Sequence, residues 1–255
     1  MSSDNSDFVR YEDKYVITNE VYSKLLPLLN SELENAAPQK DTRYTEIESI
    51  YFDNTDLDIL QDYLNKLNNR AKVRIRRYAP NSIWSSEYFT EFKTKIDGIS
   101  KKNRFPINQT ELTEIINTST VSSSLNKTNK KIINKINLIN AYLADKKARP
   151  ICNVTYSREA FEKNDFRVTI DTKLSIQPHL ESRDFLLKGS SVTANQEYLA
   201  DLDRCVELYN ENQYILEIKH QGTIPIWMQN FLNENHIAKI KFSKYCYAMA
   251  VLLRR

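Results

Sequence analysis

The sequence predicts an α+β domain built on an antiparallel sheet, with helices flanking it. Three observations carry this. Strand-like segments follow one another through short turns, with helices interrupting them, an order that favours antiparallel over parallel pairing. Several of these strands alternate charged and apolar residues with a period of two, so each has one ionic face and one apolar face. The apolar faces can pack against the flanking helices, which turns the ionic faces towards one another.

The elements follow in order. Residues 8–17, FVRYEDKYVI, read as a strand, and Thr18 caps a helix over NEVYSKLLPLLNSEL that Pro27 bends. A polar loop, 35–44, leads to the strand YTEIESIYFD and a short helix in NTDLDILQDYLNKL, capped by Asn54 or Thr55. Strands at 71–79 and 86–96 flank a Pro-Asn-Ser turn, and DGISKKNRFPI is a turn followed by an extended segment. Residues 109–146 predict two helices around 118–124. Strands at 150–161 and 166–176, a loop-rich stretch at 177–212 and the strand QYILEIK come next. PIWMQNFLNEN and SKYCYAMAVLL close the chain as helices. No repeat or internal boundary interrupts the series, which predicts one domain over residues 8–253 and a disordered N-terminus at 1–7.

Bulk properties exclude several function classes. The net charge is only +3, which argues against a nucleic-acid coat. The three cysteines, Cys152, Cys205 and Cys246, are odd in number and widely spaced, which predicts a reducing compartment without a disulfide framework. The histidines, His179, His220 and His236, are too scattered for a zinc site. The N-terminus has no apolar core, and no run reaches the ~20 apolar residues of a membrane span. The protein therefore reads as cytoplasmic. Only three glycines occur, Gly98, Gly189 and Gly222, so neither a Walker loop nor a dinucleotide fingerprint can exist. Any phosphate must be held by side chains.

KVRIRRY carries the strongest local signal. Lys72, Arg74 and Arg76 share one face and Val73 and Ile75 the other. Like charges two residues apart, roughly 7 Å, repel by about 2 kcal/mol at an effective dielectric near 20. Other strands repeat the pattern: Arg10, Glu12 and Lys14; Glu91, Lys93 and Lys95; Tyr156 and Arg158; Arg167, Thr169 and Asp171; Glu217 and Lys219. For any one strand, a solvated polar face is the ordinary reading. Across the set the ionic faces are mostly Lys and Arg, with few Ser, Thr or Gln. A closed sheet would gather them in a lumen that requires anions, and polyphosphate is the natural occupant. Arginine donates to phosphate as a planar fork, lysine adds point charge, and carboxylates in such a lumen suit a divalent metal that bridges phosphates.

The ordered series YEDKYVI, SIYFDN, KVRIRRY, EFKTK, SKKNRF, YSREAF, RVTIDT, LEIK and KFSKY resembles the VTC domain over nearly the whole chain. This is the polyphosphate polymerase domain of the vacuolar transporter chaperone family, within the triphosphate tunnel metalloenzymes. The resemblance implies an antiparallel β tunnel barrel with helices packed outside, and transfer of the terminal phosphate of ATP to orthophosphate or polyphosphate, with Mn²⁺ or Mg²⁺. It implies phosphate-binding roles for Lys14, Arg74, Arg76, Lys93, Lys102, Arg104, Arg158 and Arg167, a hydroxyl contact from Tyr156, and a further contact from Lys219. It makes Glu217 the metal carboxylate, with Glu12, Glu91 and Asp171 as further candidates; Glu91 and Asp171 read equally well as ion-pair partners. Ser243 and Lys244 match the family's catalytic pair, with Arg158 and Glu217 completing the catalytic set, whereas Lys244 taken alone reads as an exposed lysine at a helix start. Lys66 or Arg70 supplies a further cation that spacing does not resolve. Many tunnel enzymes begin with two alternating glutamates and a lysine; here Arg10 occupies the first position, which favours a polymerase over a triphosphatase. The family's regulatory and membrane-spanning parts have no counterpart in this sequence, so a free-standing catalytic domain is expected, with a membrane partner as a candidate receiver of product. Hydrolysis of the same substrates and plain polyphosphate binding are the competing functions.

Overall fold

Period-two alternation yields a nine-stranded sheet wrapped by six helices in the computed structural model, which describes residues 11–36, 43–97, 99–121, 129–182 and 212–254. In chain order the elements are β1 (Tyr11–Thr18), α1 (Asn19–Glu32), β2 (Glu34–Asn35), β3 (Thr45–Asp53), α2 (Asp58–Leu64), β4 (Arg70–Pro80), β5 (Tyr88–Ile96) and β6 (Ile99–Ile107). These are followed by α3 (Gln109–Thr118), α4 (Lys130–Asp145), β7 (Arg149–Lys163), β8 (Phe166–Pro178), β9 (Gln213–His220), α5 (Ile226–Glu234) and α6 (Lys244–Leu253). Arg10, Cys205 and the expectations for residues 1–7 and most of 177–212 lie outside the described residues.

Every described strand pair is antiparallel, in the order β1-β9-β8-β7-β3-β4-β5-β6, with β2 attached to β7. The result is tunnel-like, but the expected hydrogen-bonded closure is corrected: among the described residues no ladder joins β1 to β6. Side chains and the C-terminal segment take its place. Ile240 donates its N–H to the Lys14 carbonyl at 2.8 Å, and Lys14 Nζ donates to the Phe242 carbonyl at 3.2 Å. Lys72 of β4 then reaches Ser243 at 3.0 Å. An irregular strap thus runs from the β1 edge to β4.

The apolar core lies outside the tunnel. Val73, Ile75, Phe92 and Phe105 pack with Ile115 of α3, Ile139 of α4 and Met249 of α6. Val168, Ile170, Leu216 and Ile218 pack with Leu25 and Leu29 of α1 and Phe231 of α5. Each such buried side chain is worth about 1.5–3 kcal/mol. This burial orients the sheet, since a one-residue slip would bring the ionic stripes into the core.

Thr18 caps α1 as expected, accepting from Val21 N at 3.3 Å. The expected capping of α2 by Asn54 or Thr55 is met in part by Asn54, whose side chain accepts from Asp58 N at 3.1 Å. That helix begins after Leu57, which has a left-handed backbone, and Asp53 reaches back to accept from Ile59 N and Leu60 N, each at 3.0 Å. The buried carboxylate satisfies two further orphan donors of the first turn.

Candidate functional site: a cationic tunnel

Three walls of the lumen carry the ionic stripes. On the first wall, Glu91 of β5 is the hub. It accepts from Arg74 Nε and Nη2 (2.8 and 2.6 Å) and from Lys102 Nζ (2.7 Å), and lies 3.7 Å from Arg104. Its side chain is 1% exposed. Burial pushes its pKa up, but Arg74, Arg76 and Lys102 outweigh this and hold it well below the ordinary range. Arg76 donates to Ser49 (3.1 Å) and to the Tyr156 hydroxyl (2.9 Å), and Arg74 also donates to Tyr51 (3.3 Å).

On the second wall, Arg158 forks onto both oxygens of Asp171 at 2.5 and 2.7 Å. Lys244 donates to the same carboxylate and sits 4.7 Å over the Tyr156 ring. The side chain of Lys244 is 10% exposed, so the exposed helix-start reading is corrected. Its position follows from the capping of α6: Ser243 accepts from Cys246 N at 3.4 Å, which aims the first turn at the lumen. Ser243 also accepts from Lys72 Nζ, which lies 3.7 Å over the Tyr63 ring. Burial pulls the Lys72 pKa down.

The third wall pairs β1 with β9. Glu217 accepts from Lys219 at 2.6 Å and lies 3.7 Å from Lys14; Glu12 accepts from Lys14 at 2.8 Å and lies 3.9 Å from Lys219. Burial raises the Glu217 pKa, but Lys219, Lys14 and Arg158 hold it well below the carboxylate range. Directly opposite Glu217 in the ladder is Thr169, whose buried hydroxyl has no hydrogen-bond partner among the described residues.

Cations outnumber carboxylates. Lys14, Lys72, Arg74, Arg76, Lys93, Lys102, Arg104, Arg158, Lys219 and Lys244 share the lumen with Glu12, Glu91, Asp171 and Glu217. Lys93 shows the strain most clearly. It has no ion pair among the described residues; its side chain is exposed to the open lumen, where desolvation, reinforced by Arg74, pulls its pKa down to about 8. Such a site holds uncompensated positive charge and suits a linear polyanion. Arg167 lies apart at one end, paired with Glu162 at 3.1 Å and 36% exposed. Of the unresolved pair, Arg70 is occupied by the Leu67 carbonyl at 2.6 Å, and Lys66 lies in the turn after α2.

Among the described residues, no group of three or more His, Cys, Asp or Glu side chains is placed to hold a metal ion. Glu91 and Asp171 are engaged by arginine and lysine. Glu12 and Glu217 are paired too, with Lys14 and Lys219, but they are a close pair of hard oxygen donors held, among the described residues, by lysines alone, with the unsatisfied Thr169 hydroxyl alongside. That donor set fits a cation that shares its coordination with phosphate oxygens.

The VTC domain family matches residues 9–253. The chain belongs to the VTC domain family. The VTC domain is 24% identical over 280 residues to vacuolar transporter chaperone complex subunit 4 of Schizosaccharomyces pombe; the match covers 96% of this chain and 38% of that protein. Two solved structures share the fold: an adenylate cyclase-type protein from Bacillus halodurans (TM-score 0.51, 12% identity, 91% of this chain and 92% of that one) and an adenylyl cyclase-type protein from Hippeastrum, described as having a dominant triphosphatase activity (TM-score 0.51, 13% identity, 95% and 96%).

Two features of the VTC domain's tunnel were beyond sequence reasoning. Lys72 was legible as part of the stripe, but its contact with Ser243 joins residues 171 apart. Tyr51 lies on the inward face opposite Arg74, yet a tyrosine in a strand carries no distinguishing signal.

Proposed function

We propose that this VTC domain is a polyphosphate polymerase that transfers the γ-phosphoryl group of ATP to the end of an acceptor phosphate or polyphosphate. The observation that carries this reading is the excess of inward cations, with Lys93 unpaired in the middle. A triphosphate laid along the lumen would replace protein carboxylates as the counter-charge of Arg74, Arg76, Arg158 and Lys102. An acceptor phosphate oxygen forms a bond to the γ-phosphorus as the bond to the β–γ bridging oxygen breaks, the electron pair leaving with ADP. The acceptor is already anionic, so no strong general base is needed, and positioning with charge stabilisation does the work. Lys244, held by Asp171 and aimed by the Ser243 cap, stabilises charge on the transferred group. Glu12 and Glu217 would hold Mn²⁺ or Mg²⁺, which would supply positive charge to offset that of the phosphates. The S. pombe relative is named as a subunit of a complex, which supports an assembly in which a partner receives the product.

Incubation with ATP and Mn²⁺ followed by a polyphosphate-staining gel tests the proposal. A ladder is expected. Free phosphate alone would mean hydrolysis, and unchanged ATP would mean a binding module. Lys244→Ala is expected to abolish the ladder while nucleotide binding persists; full activity in that variant would refute its role.

A further inference from the structure

Three side chains of the tunnel face extend the phosphate cations towards the β4–β5 turn. Tyr78 lies two residues beyond Arg76 on β4, Phe89 two residues before Glu91 on β5, and Arg104 opposite Glu91 on β6. The Arg104 guanidinium sits 3.9 Å from the Phe89 ring centre and 5.5 Å from that of Tyr78. The two rings meet edge to face at 5.9 Å and 68°. This cluster adjoins the phosphate cations, because Arg104 lies 3.7 Å from the Glu91 carboxylate that holds Arg74, and Phe89 lies opposite Arg76 in the β4–β5 ladder.

The two ends of the lumen differ. Near the α2 end, Lys72 and Lys244 lie under the first turn of α6, and Tyr245 of that helix donates to Asp53 at the end of β3. The Arg104 side chain is 38% exposed on β6, which among the described residues has no second ladder partner. With the terminal phosphate at Lys244, as proposed for the transfer, the nucleoside is placed at the exposed Arg104 end.

We propose that Arg104, backed by Phe89 and flanked by Tyr78, is the seat of the nucleotide base, which stacks on the open face of the guanidinium. This rests on the reading of the lumen as a phosphate-chain site. A planar guanidinium supported by an aromatic ring presents a flat, weakly hydrated cation, a surface suited to the π face of a base. Inorganic polyphosphate has no such group, so the seat separates nucleoside triphosphates from inorganic chains. The cluster offers ring and guanidinium faces, with Arg104 over both Phe89 and Tyr78. Base selection therefore follows stacking area, with ATP and GTP favoured over CTP and UTP.

The test is calorimetric titration of ATP, CTP and inorganic tripolyphosphate into the wild type, Phe89→Leu and Arg104→Lys, each with its melting temperature recorded. Phe89→Leu is expected to weaken ATP about 5- to 20-fold and leave tripolyphosphate within about twofold. Arg104→Lys keeps the charge and loses the plane, so the ratio of ATP to tripolyphosphate affinity should fall by about fivefold or more. The wild type should bind ATP more tightly than CTP. Equal weakening of ATP and tripolyphosphate, or no weakening of ATP in either folded variant, overturns the base seat. A wild type that fails to bind tripolyphosphate overturns the phosphate-chain reading itself.

Discussion

Asp171→Asn should destabilise the protein far more than an isosteric change would suggest. Asp171 is fully buried and binds both Arg158 and Lys244. Asparagine keeps the volume, so no cavity forms, but two buried cations lose their counter-charge. Removing one partner of a buried ionic pair costs about 3–5 kcal/mol. In a chain of this size each kcal/mol lowers the melting temperature by about 2–4 °C, which predicts a fall of roughly 6–20 °C. Burial alone would raise the Asp171 pKa, but Arg158 and Lys244 lower it. A depressed carboxylate pKa means the stabilisation is fully present above the unfolded value of about 4 and is lost as pH falls through the folded value. The gap between wild type and variant should therefore hold from pH 7 to 5 and shrink only in stronger acid. Tripolyphosphate offers the stranded cations a replacement. A ligand at a hundred times its dissociation constant stabilises by about 2.7 kcal/mol, and the variant should gain more from a given concentration than the wild type. Scanning calorimetry with and without tripolyphosphate reads both effects. A variant that melts within about 2 °C of wild type, or a gap that tripolyphosphate widens, would refute the reasoning.

Lys93 makes polyanion binding take up protons: its pKa of about 8 must rise when phosphate arrives, so affinity should fall as pH passes 8, and calorimetry at pH 8 in buffers of different ionisation enthalpy should detect uptake that Lys93→Met abolishes. Glu217→Gln should weaken Mn²⁺ binding in the presence of tripolyphosphate by tenfold or more, on the order of one lost carboxylate ligand, as read by manganese electron paramagnetic resonance. Tyr245→Phe removes the hydroxyl that donates to the buried Asp53 and should cost about 1–3 kcal/mol in urea unfolding, with nucleotide affinity retained.

Much of the fold was legible because it depends on local alternation. Val73 and Ile75 against Lys72, Arg74 and Arg76 fix which face enters the core, and Thr18 announces α1. The list of inward cations follows from the same period. What was illegible depends on tertiary distance. The Ile240–Lys14 bridge that replaces barrel closure joins an irregular strap to a strand across 226 positions, and no pattern in KIKFSKY foretells it. Asp53 caps α2 because the chain folds back on itself after Leu57, a left-handed turn at a residue type that rarely signals one. Glu91 and Asp171 could be read as metal ligands or as ion-pair partners until their neighbours were known: each faces two or more cations.

A crystal of the protein grown with tripolyphosphate and Mn²⁺ tests the central claim most directly. The account predicts a chain of phosphoryl groups inside the lumen, within hydrogen-bond distance of Arg74, Lys93 and Arg158, with the metal at Glu12 and Glu217. Phosphate density confined to the outer surface, with those three side chains unchanged, would contradict it.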